Sequence, residues 1–246
     1  MTVTATALRD VPEITPGSDL AALLAACAAA QRLALARGTI LSLAHKIVSK
    51  AEGRVVRLDD VVPGERARRL ADEHEKDARV VEVVLSESTQ LVRAVRGVLI
   101  CRTRHGFVCA NAGVDASNAD PGTLVLLPLD PDASARRLRA ALGGPAVVIS
   151  DSFGRAWRQG QCDVAIGCAG LSPLEDWRGR ADSRGNELHA TWLAVADQIT
   201  GLADLARAKD SAEPAVLIGG LERHVIDEDG PGAAELIRPA AEDLFL

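Results

Sequence analysis

The sequence predicts an α/β chain (mixed α+β), and three observations carry that prediction. Runs rich in Val, Ile and Leu at 39–48, 123–127, 146–149 and 214–218 read as strands, the one at 146–149 continuous like a strand covered on both faces. Between them lie segments with helical spacing of apolar residues, at 18–37, 64–75, 77–88, 130–142 and 188–209. Neither a P-loop (GxxxxGK followed by Ser or Thr) nor the GxGxxG fingerprint of a Rossmann fold occurs, so phosphate must be bound by other means if it is bound at all.

Composition narrows the class further. With 48% apolar and 25% charged residues among 246, the chain has the make-up of a soluble globular protein. Aromatics are scarce, with three Phe, three Trp and no Tyr, so core volume must come from Ala, Val, Leu and Ile. A net charge of -6 argues against a general nucleic-acid binder, whose affinity comes from neutralising phosphates. The first ten residues lack a basic start followed by an apolar run, and the apolar stretch at 20–30 is too short for a bilayer. Cys27, Cys101, Cys109, Cys162 and Cys168 show no CxxC spacing, which points to buried thiols in a reducing cytoplasm rather than to zinc or disulfides.

Taken in order, Val11-Pro12-Glu13-Ile14 is extended, because Pro12 drives its predecessor into the β region. Ser18 is expected to cap a helix running to Arg37 and ended by Gly38. The strand at 39–48, interrupted by His45 and Lys46, runs into a polar turn, Ser49-Lys50-Ala51-Glu52-Gly53-Arg54. Lys50 there reads either as an exposed turn lysine or as a point charge for a phosphate. Two charged amphipathic helices follow, and then a hairpin of 98–102 and 107–110 around Arg104-His105-Gly106, with His105 a solvated turn residue. Small residues threaded with Asp115 and Asn118 at 111–118 allow close approach of a ligand to the backbone. Asp130-Pro131 opens the next helix with proline in its first turn. The apolar run at 146–149 is expected to stop at Ser150-Asp151-Ser152, with Gly154 turning the chain before Arg155 and Arg158. Residues 176–187 read as a long ordered loop, 214–218 as a last strand and 222–246 as a peripheral tail of charge, Gly and Pro.

Chemistry concentrates at two strand ends. Asp115 and Asp151 both follow predicted strands, and on neighbouring strands they would form an oxygen-rich site for Mg²⁺ or Mn²⁺. Lys50, Arg155 and Arg158 would then balance the charge of a polyphosphate. The plainer alternative for the Asp151 segment is a strand-end loop whose carboxylate caps the next element and pairs with an arginine.

Three stretches raise the specificity. His45 through Arg54, Asn111 through Asn118, and Ser150 through Arg158 resemble the coenzyme F420-0:L-glutamate ligase family, in its stand-alone form. Leu127-Pro128-Leu129-Asp130-Pro131-Asp132-Ala133-Ser134 and Gly185-Asn186-Glu187-Leu188 are similar too, in the same order, so the likeness covers roughly 10–221. It implies one domain over 1–246, with mixed sheets and flanking helices in that family's fold, and an intertwined homodimer. It also implies a GTP-dependent ligase that adds L-glutamate to coenzyme F420-0 through an acyl phosphate, with γ-linked additions after the first, using Mg²⁺ or Mn²⁺ and stimulated by K⁺. By position, the resemblance makes Asp115, Asp151 and Ser152 the metal site, Ser152 standing where threonine is commoner. Lys50 and Asn118, the backbone of Val11, Pro12, Glu13 and Ile14, the pair His45 and Lys46, and Lys209 fall at nucleotide contacts. Ala206-Arg207-Ala208-Lys209 departs from a usual Met-Gly pair, and Gly219-Gly220 lacks an arginine often found there. Two other readings stand beside the ligase: a paralogous amide ligase with a different acceptor, and a GTP-binding regulatory protein without turnover.

Overall fold

The computed structural model describes residues 2–243. The first half runs through β1 (Thr4–Ala7), α1 (Leu20–Ala30), β2 (Ile40–Ala44), α2 (His45–Ala51), β3 (Val55–Arg57), α3 (Glu65–His74) and α4 (Ala78–Ser86). A meander of β4 (Ser88–Val95), β5 (Val98–Thr103) and β6 (Val108–Ala110) leads to β7 (Thr123–Val125) and α5 (Pro131–Leu142). The second half is β8 (Ala146–Arg155), β9 (Arg158–Ala169), β10 (Leu174–Asp176), β11 (Trp192–Ala194), α6 (Val195–Ala206) and β12 (Ala215–Gly219).

The main sheet has the order β1-β12-β2-β8-β9. Only β2 and β8 pair in parallel and the other neighbours are antiparallel, so the sheet is mixed. Its central strands are apolar on both faces because both faces are covered. Leu41, Leu43, Val147 and Ile149 pack with Leu24, Ala28, Ile47, Val48 and Ala135 from α1, α2 and α5. Ile40, Ala146 and Val148 pack against Ala196, Ile199 and Ala203 of α6. Each large aliphatic buried this way contributes about 1.5–3 kcal/mol. A third core joins α3 and α4 to Leu99, Cys101 and Leu124 of the smaller sheets.

Several element boundaries differ from the sequence-based expectation, each for a physical reason. Helix α1 is capped by Asp19, whose Oδ1 accepts from the Ala22 amide at 3.0 Å, because the Ser18 hydroxyl is taken by the Thr15 amide. It ends at Ala30, short of Gly38, where Gln31 turns its side chain to the Arg9 and Cys27 carbonyls. Strand β2 stops at Ala44, and His45 opens α2, so His45 and Lys46 lie in a first helical turn and Lys50 in the last. Strand β8 does not stop at Ser150; it continues through Arg155 because β9 pairs with it residue by residue, and the chain reverses at Ala156-Trp157, with Trp157 at φ 59°. Residues 88–95 form a strand, and α6 begins at Val195 because Trp192 belongs to a short pair with β10. His105, expected as a solvated turn residue, is half-buried, with its Nε2 2.9 Å from the Pro128 carbonyl oxygen.

The segment from Glu222 was expected on composition to be peripheral, yet it is fastened to the body. Asp132 in the first turn of α5 accepts from the Ala233 amide at 2.7 Å and from the Cys168 amide at 2.8 Å, and Arg139 pairs with Asp229 at 2.7 Å. Ala233 is buried in the α6 core. The last three residues of that expected tail, 244–246, lie outside the described residues.

Candidate functional site

Strand β8 carries two polar clusters, one on each face, because successive side chains alternate. Val147, Ile149 and Phe153 face the α1/α2/α5 core, and Asp151 falls in the same row. Ala146 and Val148 face α6, and Ser150 and Ser152 continue that row. The parallel register Ala44↔Ser150 sets the start of α2 beside the polar half of β8.

On the first face, His45 is buried with its Nε2 3.3 Å from Asp151 Oδ1, while its Nδ1 lies 3.1 Å from Ser49 Oγ. The Nε2 contact is outside hydrogen-bond geometry, so that nitrogen is a buried polar atom without a hydrogen-bond partner. Among the described residues no Lys or Arg lies within ion-pair distance of the Asp151 side chain, which is 16% exposed. One residue along α2, Lys46 reaches Asp115 Oδ2 at 2.6 Å and bonds Ser117 Oγ. Asp115 is fixed in an isolated bridge with Val125 and also accepts from the Ser117 amide at 2.8 Å and hydroxyl at 2.7 Å. Burial pushes the Asp115 carboxyl up, but the bonds from Lys46 and Ser117 outweigh it and hold the group below the ordinary carboxylate range. Both carboxylates therefore flank the first turn of one helix, Asp115 through Lys46 and Asp151 through His45.

The second face holds a cluster that sequence reasoning did not single out. Asp163 on β9 is 1% exposed and accepts from Ser150 Oγ at 2.8 Å and Ser152 Oγ at 2.6 Å. Arg207, just beyond α6, forms an ion pair with it, and Lys209 lies 3.4 Å away. Burial raises the Asp163 carboxyl, but the Ser152 bond and the Arg207 charge, helped by Ser150 and Lys209, bring it below its usual value. Lys209 also bonds Ser152 Oγ at 3.0 Å and Asp204 at 2.6 Å.

The remaining predicted site residues divide. Lys50 pairs with Glu13, tying the end of α2 to the segment that holds Val11, Pro12 and Ile14; Ile14 is buried. Asn118 is exposed at φ 54°. Ser152 sits next to Asp151 in sequence, but its hydroxyl faces Asp163 and Lys209 on the opposite side of the sheet. Arg155 and Arg158 face each other across the exposed end of the β8–β9 hairpin, Arg155 donating to the Gln159 carbonyl at 2.7 Å. At about 3.3 Å per residue, Arg155 is roughly 13 Å along the strand from Asp151. The expected turn at Gly154 would have folded both arginines back toward the carboxylates; the continuous strand carries them away.

Asp115 and Asp151 are hard oxygen donors of the kind Mg²⁺ and Mn²⁺ take, and among the described residues Asp151 has no Lys or Arg within ion-pair distance. Among the described residues no group of three His, Cys, Asp or Glu side chains is close enough to hold a metal unaided. Mg²⁺-type sites in general take one or two carboxylates, with water and substrate phosphates completing the coordination.

The two polar clusters lie at the carboxyl ends of the parallel pair of a mixed α/β sheet, the end at which open α/β sheets take their ligands. The sequence matches the F420-0:Gamma-glutamyl ligase family over residues 9–220, and the chain belongs to that family. It is 42% identical over 240 residues to the coenzyme F420:L-glutamate ligase of Methanopyrus kandleri, covering 95% of this chain and 93% of that one. It is also 41% identical to the protein of that name from Methanothermobacter thermautotrophicus, over 96% and 95% of the two chains. Against the Natronomonas pharaonis protein of the same name, identity is 43% over 87% of this chain and 85% of the relative. No helix among the described residues is long and apolar enough to cross a membrane.

Proposed function

We propose that this chain is a ligase that joins L-glutamate to coenzyme F420-0, with γ-linked additions after the first, at the expense of GTP and with Mg²⁺ or Mn²⁺ bound. The observation that carries the reading is family membership across 9–220, a span that includes both carboxylates, all of α2 and the Asp163 cluster.

The chemistry follows from the difficulty of the bond. A carboxylate is a poor electrophile, so an amine does not displace its oxygen at neutral pH. Transfer of the GTP γ-phosphoryl group to the acceptor carboxylate breaks the β–γ P–O bond, releases GDP and leaves an acyl phosphate. The neutral glutamate amine then attacks the acyl carbon, a proton leaves the nitrogen, and phosphate departs with the C–O bonding pair. A divalent cation, when bound, neutralises charge on the phosphate oxygens.

The chain's own residues would hold and balance these groups. Asp115 and Asp151 would share the cation, and His45, packed against Asp151, would fix the orientation of that carboxylate. Lys46, Lys50 and Lys209 are point charges suited to phosphate oxygens. Lys46 and Lys50 are paired with Asp115 and Glu13, partners that an incoming polyphosphate would exchange for its own oxygens.

The test is mass spectrometry of F420-0 after incubation with the protein, GTP, Mn²⁺ and glutamate, with GDP and phosphate followed in parallel. The reading expects glutamyl adducts, and GDP release that requires both glutamate and acceptor. Amide formation only on another acid would point to a paralogous ligase, and GTP binding without turnover to a regulatory protein; either result would replace the proposal.

A further inference from the structure

Arg207 is the most heavily committed cation of the second face. Its side chain is 8% exposed and pairs with Asp163, which is 1% exposed. The guanidinium also lies 3.5 Å from Ser150 Oγ and donates to the Pro214 carbonyl at 3.2 Å. That last bond closes the loop between α6 and β12 on itself: the side chain of the loop's first residue holds the carbonyl of its last. The Pro214 oxygen also accepts from the Ala44 amide at 2.8 Å, and Ala44 is the residue before α2 with its His45 and Lys46. Inside the loop, Ser211 bonds the Ala208 carbonyl, and Lys209 reaches Ser152. One planar guanidinium therefore joins β9, β8 and both ends of the loop, and through Pro214 it meets the backbone that starts the first-face site.

We propose that Arg207, clamped by Asp163, is a positioning residue that fixes the 207–214 loop so that Lys209 stands beside Ser152 for contact with a nucleotide phosphate. The role of Lys209 rests on the ligase reading; the clamp itself does not. A planar fork of five donors holds carboxylate, hydroxyl and carbonyl together, whereas a lysine ammonium would be a single point charge.

Three forms of the full chain test this: Arg207→Met, Arg207→Lys, and the double variant Asp163→Asn with Arg207→Met. Each is read by hydrogen exchange of the 208–213 amides without nucleotide, by thermal midpoint, and by KM for GTP against kcat. Arg207→Met leaves Asp163 buried without its main partner, so the midpoint falls. Exchange in 208–213 is expected to rise about tenfold or more, and KM for GTP about tenfold with a smaller change in kcat. Arg207→Lys keeps the charge and recovers part of each effect. The double variant removes both charges and recovers the thermal midpoint, but exchange and KM stay high because the loop remains unclamped. Unchanged exchange in Arg207→Met, or recovery of exchange and KM together with the midpoint in the double variant, overturns the proposal and leaves Arg207 a structural ion pair. If the wild type does not use GTP, the ligase reading fails, and the exchange measurement still decides the clamp.

Discussion

Replacing Asp163 by alanine isolates the ion pair at the back of the sheet. The variant leaves the Arg207 guanidinium, 8% exposed, without its carboxylate, and removes the acceptor from both Ser150 Oγ and Ser152 Oγ. Breaking a buried pair from one side costs about 3–5 kcal/mol. The two hydroxyls add less, since Ser150 retains a 3.4 Å contact with the Leu43 carbonyl and Ser152 its bond from Lys209. For a chain of this size each kcal/mol moves the midpoint by about 2–4 °C, so a fall of roughly 6–20 °C is expected at pH 7. The effect has a pH signature. The folded carboxyl titrates below its ordinary value, so its contribution is complete above the unfolded pKa of about 3.9 and is lost as pH falls through the folded value. Melting followed by circular dichroism at pH 7, 5 and 3.5 should therefore show a gap between wild type and variant that is wide at the first two and narrower at the last. A variant that melts within 2 °C of wild type at pH 7, or a gap independent of pH, would refute the reasoning.

Two further predictions concern the scaffold. Gly167 lies where a Cβ would stand 2.5 Å from the Pro131 carbonyl carbon and oxygen at the start of α5, so Gly167→Ala should push that helix off β9. A loss of about 1–3 kcal/mol, the usual cost of overpacking, is expected in urea unfolding, and an unchanged midpoint would show that α5 is not seated as described. Burial pushes the Cys109 and Cys168 thiols up to about 12 and also raises Cys101, so native alkylation at pH 8 should label Cys27 and Cys162 and spare those three. Peptide mapping that finds Cys109 or Cys168 labelled in folded protein would contradict the core placement.

Much of this architecture was legible in the chain, and where it was not the reason is tertiary. The Asp130-Pro131 start of α5, the α3–α4 pair, the hairpin around Gly106 and the last strand all carry local signals, and all form. The run His45-Lys46-Ile47-Val48 reads as strand because its apolar residues are adjacent, yet β2 ends where the Ala44 amide meets Pro214, a contact no local pattern announces. Ser150-Asp151-Ser152 reads as a strand end because three polar residues follow an apolar run. The strand persists because Asp163 satisfies both serines and His45 covers Asp151. The importance of Asp163 had one faint signal: a carboxylate inside the apolar segment after Gln161 needs a buried partner, and Arg207 stood in the stretch already noted as departing from the family pattern. Asp115, Asp151, Lys46 and Lys50, singled out in the sequence, lie around α2, while the two arginines, singled out by their charge beside the turn expected at Gly154, lie at the far end of the hairpin.

The proposed ligase needs Asp115 and Asp151 to hold one divalent ion from either side of the first turn of α2. Mn²⁺ binding, followed by electron paramagnetic resonance in the presence of a non-hydrolysable GTP analogue, tests this in the wild type, Asp115→Asn and Asp151→Asn. Circular dichroism should show both variants folded, with Asp115→Asn melting lower because it gives up the charge paired with Lys46, and each should bind Mn²⁺ on the order of 100-fold more weakly. Wild-type Mn²⁺ affinity in either variant would contradict the shared site.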